Sequence, residues 1–184
     1  RQIDGWCDRW DKARTWNVLP ERPVMRWLKA NTPADVATCV IHNDWRLDNI
    51  VFDANDPTHV IGVLDWEMAT LGDPLMELGT TLAYWAQADD DRFTLSTRRQ
   101  PTHLPGMLTR REIVDYYCGK MNLTPNNWAF YEVYGLFRLA AIIQQIYFRY
   151  HHKQTRNPAF KRFWLLANYL IWRSRKLIKQ SERA

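Results

Sequence analysis

The segment His42-Asn43-Asp44-Trp45-Arg46-Leu47-Asp48-Asn49 gathers a histidine, two aspartates, two asparagines and an arginine between apolar stretches. An ordinary connection needs one or two polar turn residues, so this density asks for a chemical purpose. Asp44 and Asn49 are five residues apart, and Asp65 follows Asp44 by 21 residues. If residues 38–41, 49–52 and 59–64 are strands, Asp44 follows the first and Asp65 ends the third. A hairpin then sets the start of one strand beside the end of the next, which brings Asn49 to Asp65. Two carboxylates and an amide make a hard, oxygen-only donor set. That set suits Mg²⁺, which binds through a few carboxylates plus substrate phosphates. No CxxC pair or clustered histidine joins it, so soft-metal ligation is disfavoured. Such a site has the parts for phosphoryl transfer. A metal holds the phosphates, a carboxylate orients and deprotonates a hydroxyl, and a cation such as Arg46 meets the developing charge.

The elements that must position these residues can be read from local pattern. Ile3, Trp6, Cys7, Trp10, Ala13 and Trp16 recur at helical spacing and predict an amphipathic helix over residues 1–17. Pro20, Pro23 and Pro33 punctuate the next stretch, with about one helical turn over 24–30. The run Asp53-Ala54-Asn55-Asp56-Pro57 is a turn signal, so three short strands form a small sheet patch. Asp73-Pro74 opens a helix as N-cap and first helical residue, expected to run to about residue 86. Residues 87–106 are polar and contain proline, and read as a long surface loop. Thr109 and Glu112 form a capping box for a helix to Met121. Asn126 or Asn127 starts a long helix ending near His152, and Pro158 heads a last helix that turns basic at Arg173, Arg175, Lys176 and Lys179. The fold class is α+β and predominantly helical, with a small β-hairpin patch carrying the polar loop.

Composition narrows the classes further. The chain has 184 residues, 46% hydrophobic and 14% aromatic, enough for a packed core. Its net charge of +5 is modest, and no nucleic-acid motif accompanies it, so nucleic-acid binding is not expected. The most apolar stretch, residues 133–150, is interrupted by Arg138, Gln144, Gln145 and Arg149, which makes a buried helix rather than a membrane span. Three scattered cysteines suit free thiols in a reducing, cytoplasmic setting. Trp6, Trp10, Trp16, Trp27 and Trp85 are assigned to core and cleft lining, and His151-His152 to the end of the long helix.

Kinase catalytic loops follow the spacing H-R-D-x-x-x-x-N, with a further Asp after the next strand. His42, Asp44, Asn49 and Asp65 match it, and Arg46 stands where protein kinases place a Lys. The strings HNDWRLDNIVFD and VLDWEMATLGDPLMELG resemble the C-terminal lobe of aminoglycoside/choline-kinase-type phosphotransferases. The likeness is strongest to the branch associated with acyl-CoA dehydrogenases, and it extends over essentially all of residues 1–184. The resemblance implies a protein-kinase-like fold and an enzyme using ATP and Mg²⁺ to phosphorylate a hydroxyl of a small molecule. A hydroxyacyl-CoA is its first-choice acceptor and an aminoglycoside the runner-up. Asp44 would be the catalytic base, Asn49 and Asp65 the metal and cofactor ligands, and Arg46 a phosphate-facing cation. His42 would brace the loop, Asp73 would steady it from the helix start, and Glu67 would stand near the metal or contact substrate. The basic last helix would meet coenzyme A phosphates.

The chain departs from the pattern twice, with Asn43 in place of the usual Gly and Glu77 in place of a common Asp. Asn tolerates unusual backbone angles better than most residues, so the loop geometry can survive. There is no G-x-G pair and no Lys on a plausible strand, the parts with which kinases cover and grip ATP. An N-terminal lobe is therefore expected in a longer protein, and the chain alone is expected to be inactive. A non-catalytic binding module of kinase fold is the alternative reading.

Overall fold

The computed structural model describes residues 2–183. Its elements are α1 (Gln2–Ala13), α2 (Arg22–Ala30), β1 (Cys39–Ile41), β2 (Ile50–Phe52), β3 (Val60–Val63) and β4 (Thr70–Gly72). These are followed by α3 (Pro74–Ala83), α4 (Arg92–Thr97), α5 (Arg110–Met121), α6 (Trp128–His151) and α7 (Phe163–Ser181). They divide into two units, one formed by the first 33 residues with the segment from Asn127 onward, the other by Ala34–Asn126.

The first unit is helical and holds a dense apolar core. Trp10, Phe130, Phe137, Ala140, Ala167 and Ile171 are completely buried in it. α6 packs on α7 and on α1, and Trp10 lies 6.1 Å from Phe137. Two buried polar side chains of this core have specific partners. Gln144 donates to the Ala13 carbonyl at 2.8 Å and to Thr15 at 3.0 Å, and the Arg138 guanidinium sits 4.9 Å over the Trp6 ring. Trp16 departs from expectation. It is 87% exposed, because α1 ends at Ala13 and the chain turns before Trp16 can continue the apolar stripe. The long helix falls where its pattern placed it, with His152 as its C-cap. The last helix is preceded by a 3₁₀ turn over Pro158–Arg162 that Pro158 opens. Among the described residues no helix is long and apolar enough to cross a membrane.

The second unit carries the strands. They form two separate antiparallel pairs, β1 with β4 and β2 with β3, rather than the single patch of three that the sequence suggested. β4 was not anticipated, because Thr70-Leu71-Gly72 is too short and too close to the helix start to show a strand period. Asp73 caps α3 as expected, accepting from the Leu75 amide at 2.7 Å. The Thr109–Glu112 capping box opens α5 with both reciprocal bonds present. Residues 87–106 are not an unstructured loop. They contain α4, capped by Asp91, and bury Gln100 and Thr102, the latter bonded to the Ala86 carbonyl at 2.7 Å.

Free thiols occur at Cys7, Cys39 and Cys118, of which only Cys39 is exposed. Burial pushes the Cys7 thiol up to about 11 and raises that of Cys118. A native-state titration with a thiol reagent at pH 8 is therefore expected to modify Cys39 rapidly and the other two only after denaturation. Three fast thiols would contradict this packing.

Candidate active site

The strand pairing places two connections side by side. The loop from β1 to β2 holds residues 42–49, and the turn from β3 to β4 holds residues 64–69. Since β1 pairs with β4 and β2 with β3, both connections cross between the same two sheets. The β2–β3 ladder extends one step further, with the Leu64 amide donating to the Asn49 carbonyl at 2.8 Å. Asp65 is the next residue, so its backbone adjoins that of Asn49, as the hairpin reasoning required.

Five hydrogen bonds fix the loop. His42, 2% exposed, contacts the Leu64 carbonyl through Nε2 at 2.7 Å. Its Nδ1 accepts the Asp44 backbone amide at 3.2 Å, which leaves Nε2 to carry the proton. Asn49 donates from Nδ2 to the Asp44 carbonyl at 2.7 Å and to the Asp44 carboxylate at 3.3 Å. The Leu47 amide donates to Gln100 Oε1 at 2.8 Å. The Trp66 ring covers His42 at 4.7 Å, and Trp45 meets it edge-on at 6.0 Å.

The residues singled out from sequence converge unevenly. Asp44 and Arg46 are ion-paired at 3.3 Å, with side chains 18% and 24% exposed. Arg46 also approaches Asp48 at 3.7 Å and lies 5.3 Å from the Tyr84 ring centre. Asp65 and Glu67 are exposed on the adjoining turn. Asp73 is buried, and its second carboxylate oxygen accepts the Val36 amide at 3.2 Å, so it braces the approach to β1.

Two residues stand out for their backbone. Asn43 has φ +65° and Asp65 φ +67°, both in the left-handed region. Asn is among the few side chains that occupy it readily, so the departure from Gly leaves the loop geometry intact. Asn43 also bonds twice. Its amide donates to Glu77 Oε1 at 2.6 Å, and its Nδ2 donates to the Met68 carbonyl at 3.0 Å.

The donor chemistry fits Mg²⁺. With Asn49 Nδ2 committed to Asp44, its amide oxygen is the atom left that could meet a cation, and Asp65, next to Leu64 on the paired backbone, is the carboxylate that could join it. Among the described residues there is no group of three His, Cys, Asp or Glu side chains suited to a metal. A two-donor protein site completed by phosphate oxygens needs no such group.

Beside the loop lies a cavity of about 430 Å³. Trp45 and Leu47 wall it on the loop side, Leu78, Trp85 and Tyr117 elsewhere, and Glu77 is its one carboxylate. Sequence reasoning missed Gln100 and the role of Glu77, whereas Trp85 lines the cavity in keeping with its assignment to core and cleft. A glutamine inside a polar, proline-containing stretch carries no local sign that its side chain reaches a loop 53 residues away.

The profile of the phosphotransferase enzyme family, APH, matches residues 1–113. The chain is 34% identical over 151 residues to acyl-CoA dehydrogenase family member 10 of Mus musculus, covering 81% of this chain and 14% of that protein. It is 34% identical over 163 residues to a probable acyl-CoA dehydrogenase, IBR3, of Arabidopsis thaliana, covering 82% and 20%. It is 32% identical over 155 residues to family member 11 of Homo sapiens, covering 82% and 19%. The chain thus spans a fifth or less of these relatives. A crystal structure from Ralstonia eutropha described as an aminoglycoside phosphotransferase superposes with a TM-score of 0.82 at 25% identity. That match covers 98% of this chain and 55% of the other.

The His42 geometry makes a direct prediction. Nitrogen-resolved NMR is expected to find Nε2 protonated and Nδ1 bare in the folded protein. The opposite tautomer would rule out the Asp44 amide bond.

Proposed function

Because the chain belongs to the phosphotransferase enzyme family, we propose that it carries the catalytic loop of an ATP- and Mg²⁺-dependent kinase that phosphorylates a small-molecule hydroxyl. The observation that carries this reading is the convergence of Asp44, Asn49 and the Asp65 turn through the Asn49 and His42 hydrogen bonds. In this reading Asp44 orients the acceptor hydroxyl and takes its proton as the new O–P bond forms and the bond to the ADP leaving group breaks. Arg46, held against Asp44, places a cation beside the transferred phosphoryl group. Asn49 and Asp65 would hold Mg²⁺, which supplies the positive charge that gathers the nucleotide's phosphates. The groups that roof the nucleotide are proposed to come from a further lobe of the intact gene product. The left-handed backbone at Asn43 favours this enzyme reading over a non-catalytic module, since the loop keeps its working shape.

The acceptor is proposed to be a hydroxyacyl-CoA before an aminoglycoside. Aromatic and aliphatic walls suit a hydrocarbon body, whereas a polycation would want several carboxylates where the cavity lining offers Glu77 alone.

Asp44→Asn in the intact gene product is expected to lower kcat by about 10²–10⁴-fold, the usual contribution of a positioned base. Its circular dichroism and melting temperature should stay close to wild type. Undiminished ATP-dependent phosphorylation would remove Asp44 from the role of base.

A further inference from the structure

We propose that Asn43 and Glu77 form one coupled positioning pair for Asp44, joining the cavity wall to the turn that carries Asp65. The inference rests on the kinase reading of the site and adds to it a pair of residues that hold the base through the backbone beside it. Asn43 immediately precedes Asp44, so any rotation of its backbone swings the carboxylate. It is held in the left-handed region, φ +65°, by bonds at two ends. Its amide is gripped by the Glu77 carboxylate at 2.6 Å, a charge-assisted bond from the first turn of α3. Its side chain reaches across to the Met68 carbonyl at 3.0 Å, at the end of the short 3₁₀ turn that Asp65 begins.

The two positions at which the chain departs from the resembling pattern are thus bonded to each other. A glycine at position 43 would keep the backbone shape and lose the Met68 bond. An aspartate at 77 is shorter by one methylene, about 1.5 Å, and could not hold a 2.6 Å contact without a backbone shift. Glu77 also lines the cavity, so the residue that fixes residue 43 is part of the wall around whatever occupies it. The pair therefore links three parts, the acceptor wall, the base and the metal-bearing turn, through hydrogen bonds alone.

The test is a double-mutant cycle in the intact gene product with Asn43→Gly, Glu77→Asp, the double variant and Glu77→Gln. Losing one charge-assisted bond is expected to lower kcat by about tenfold in Glu77→Asp, with the acceptor KM little changed. Asn43→Gly is expected to raise the Mg²⁺ activation constant about fivefold, since it frees the turn bearing Asp65. The double variant should fall no further than the worse single, because both act on one strut. Glu77→Gln keeps the reach and an acceptor oxygen, so its Ala69 amide exchange should stay close to wild type, unlike that of Glu77→Asp.

Amide hydrogen exchange gives a readout independent of turnover. Both Asn43→Gly and Glu77→Asp are expected to speed exchange at Ala69, whose amide bonds to Trp66 within the turn. Additive losses, or unchanged Ala69 exchange in Glu77→Asp, would overturn the coupling. Absence of ATP-dependent phosphorylation by the wild-type intact gene product, with Ala69 exchange still responding to both variants, would instead overturn the kinase reading, so the two failures are told apart.

Discussion

The site depends on one constraint, that two short connections stay locked to each other through backbone carbonyls. His42 contacts Leu64, Asn43 donates to Met68, and the Leu64 amide returns a bond to Asn49. None of these is strong alone, since a net intramolecular hydrogen bond is worth about 1 kcal/mol. Together they fix the relative position of Asp44 and the Asp65 turn, and chemistry shared between two groups is sensitive to such positioning. The antiparallel pairings set the register, and the three bonds hold it between the strands.

Local strain accompanies this arrangement. Asn43 and Asp65 both adopt left-handed backbone, a conformation that costs of order 1–3 kcal/mol for an ordinary side chain and less for Asn or Asp. Their residue types are thus matched to the angles. Such conformations persist only where the surroundings over-determine them, and here Asn43 is fixed through both its amide and its side chain. The Asp44–Arg46 contact is an ion pair of partly buried groups at 3.3 Å. In the proposed reaction Asp44 would meet an approaching phosphate with a guanidinium beside it, which would offset repulsion between the two anions.

How much of this was legible depended on the range of the signal. The residue spacing from His42 to Asn49 and the string at Asp65 were visible, because catalytic loops write their chemistry locally. The caps at Asp73 and Thr109 were visible for the same reason, since a cap bonds within its own turn. β4 was not, because three residues ending in glycine show no strand period until β1 pairs with them. Gln100 was hidden inside an apparently exposed segment, and its bond to Leu47 exists only through tertiary folding. The partners of Arg46 were not legible either. Arg46 approaches Asp48 and, more closely, Asp44, a choice that depends on side-chain directions no spacing rule supplies.

The helical unit and the strands that carry the site are held by different physics. In the helical unit, order comes from burial, with Trp10, Phe130, Phe137 and Ile171 fully removed from solvent. In the strands flanking the site, Ile41 alone is buried, while Val40, Ile61 and Leu71 are each more than half exposed. Two-stranded pairs are marginal without such burial. The precision of the site therefore rests on directed hydrogen bonds rather than on apolar area. Regions held this way sit at the low end of local stability, where working loops are found. It follows that substitutions at His42, Asn43 or Glu77 act mainly on the geometry of the site, whereas truncations in α6 act on whether the helical unit folds.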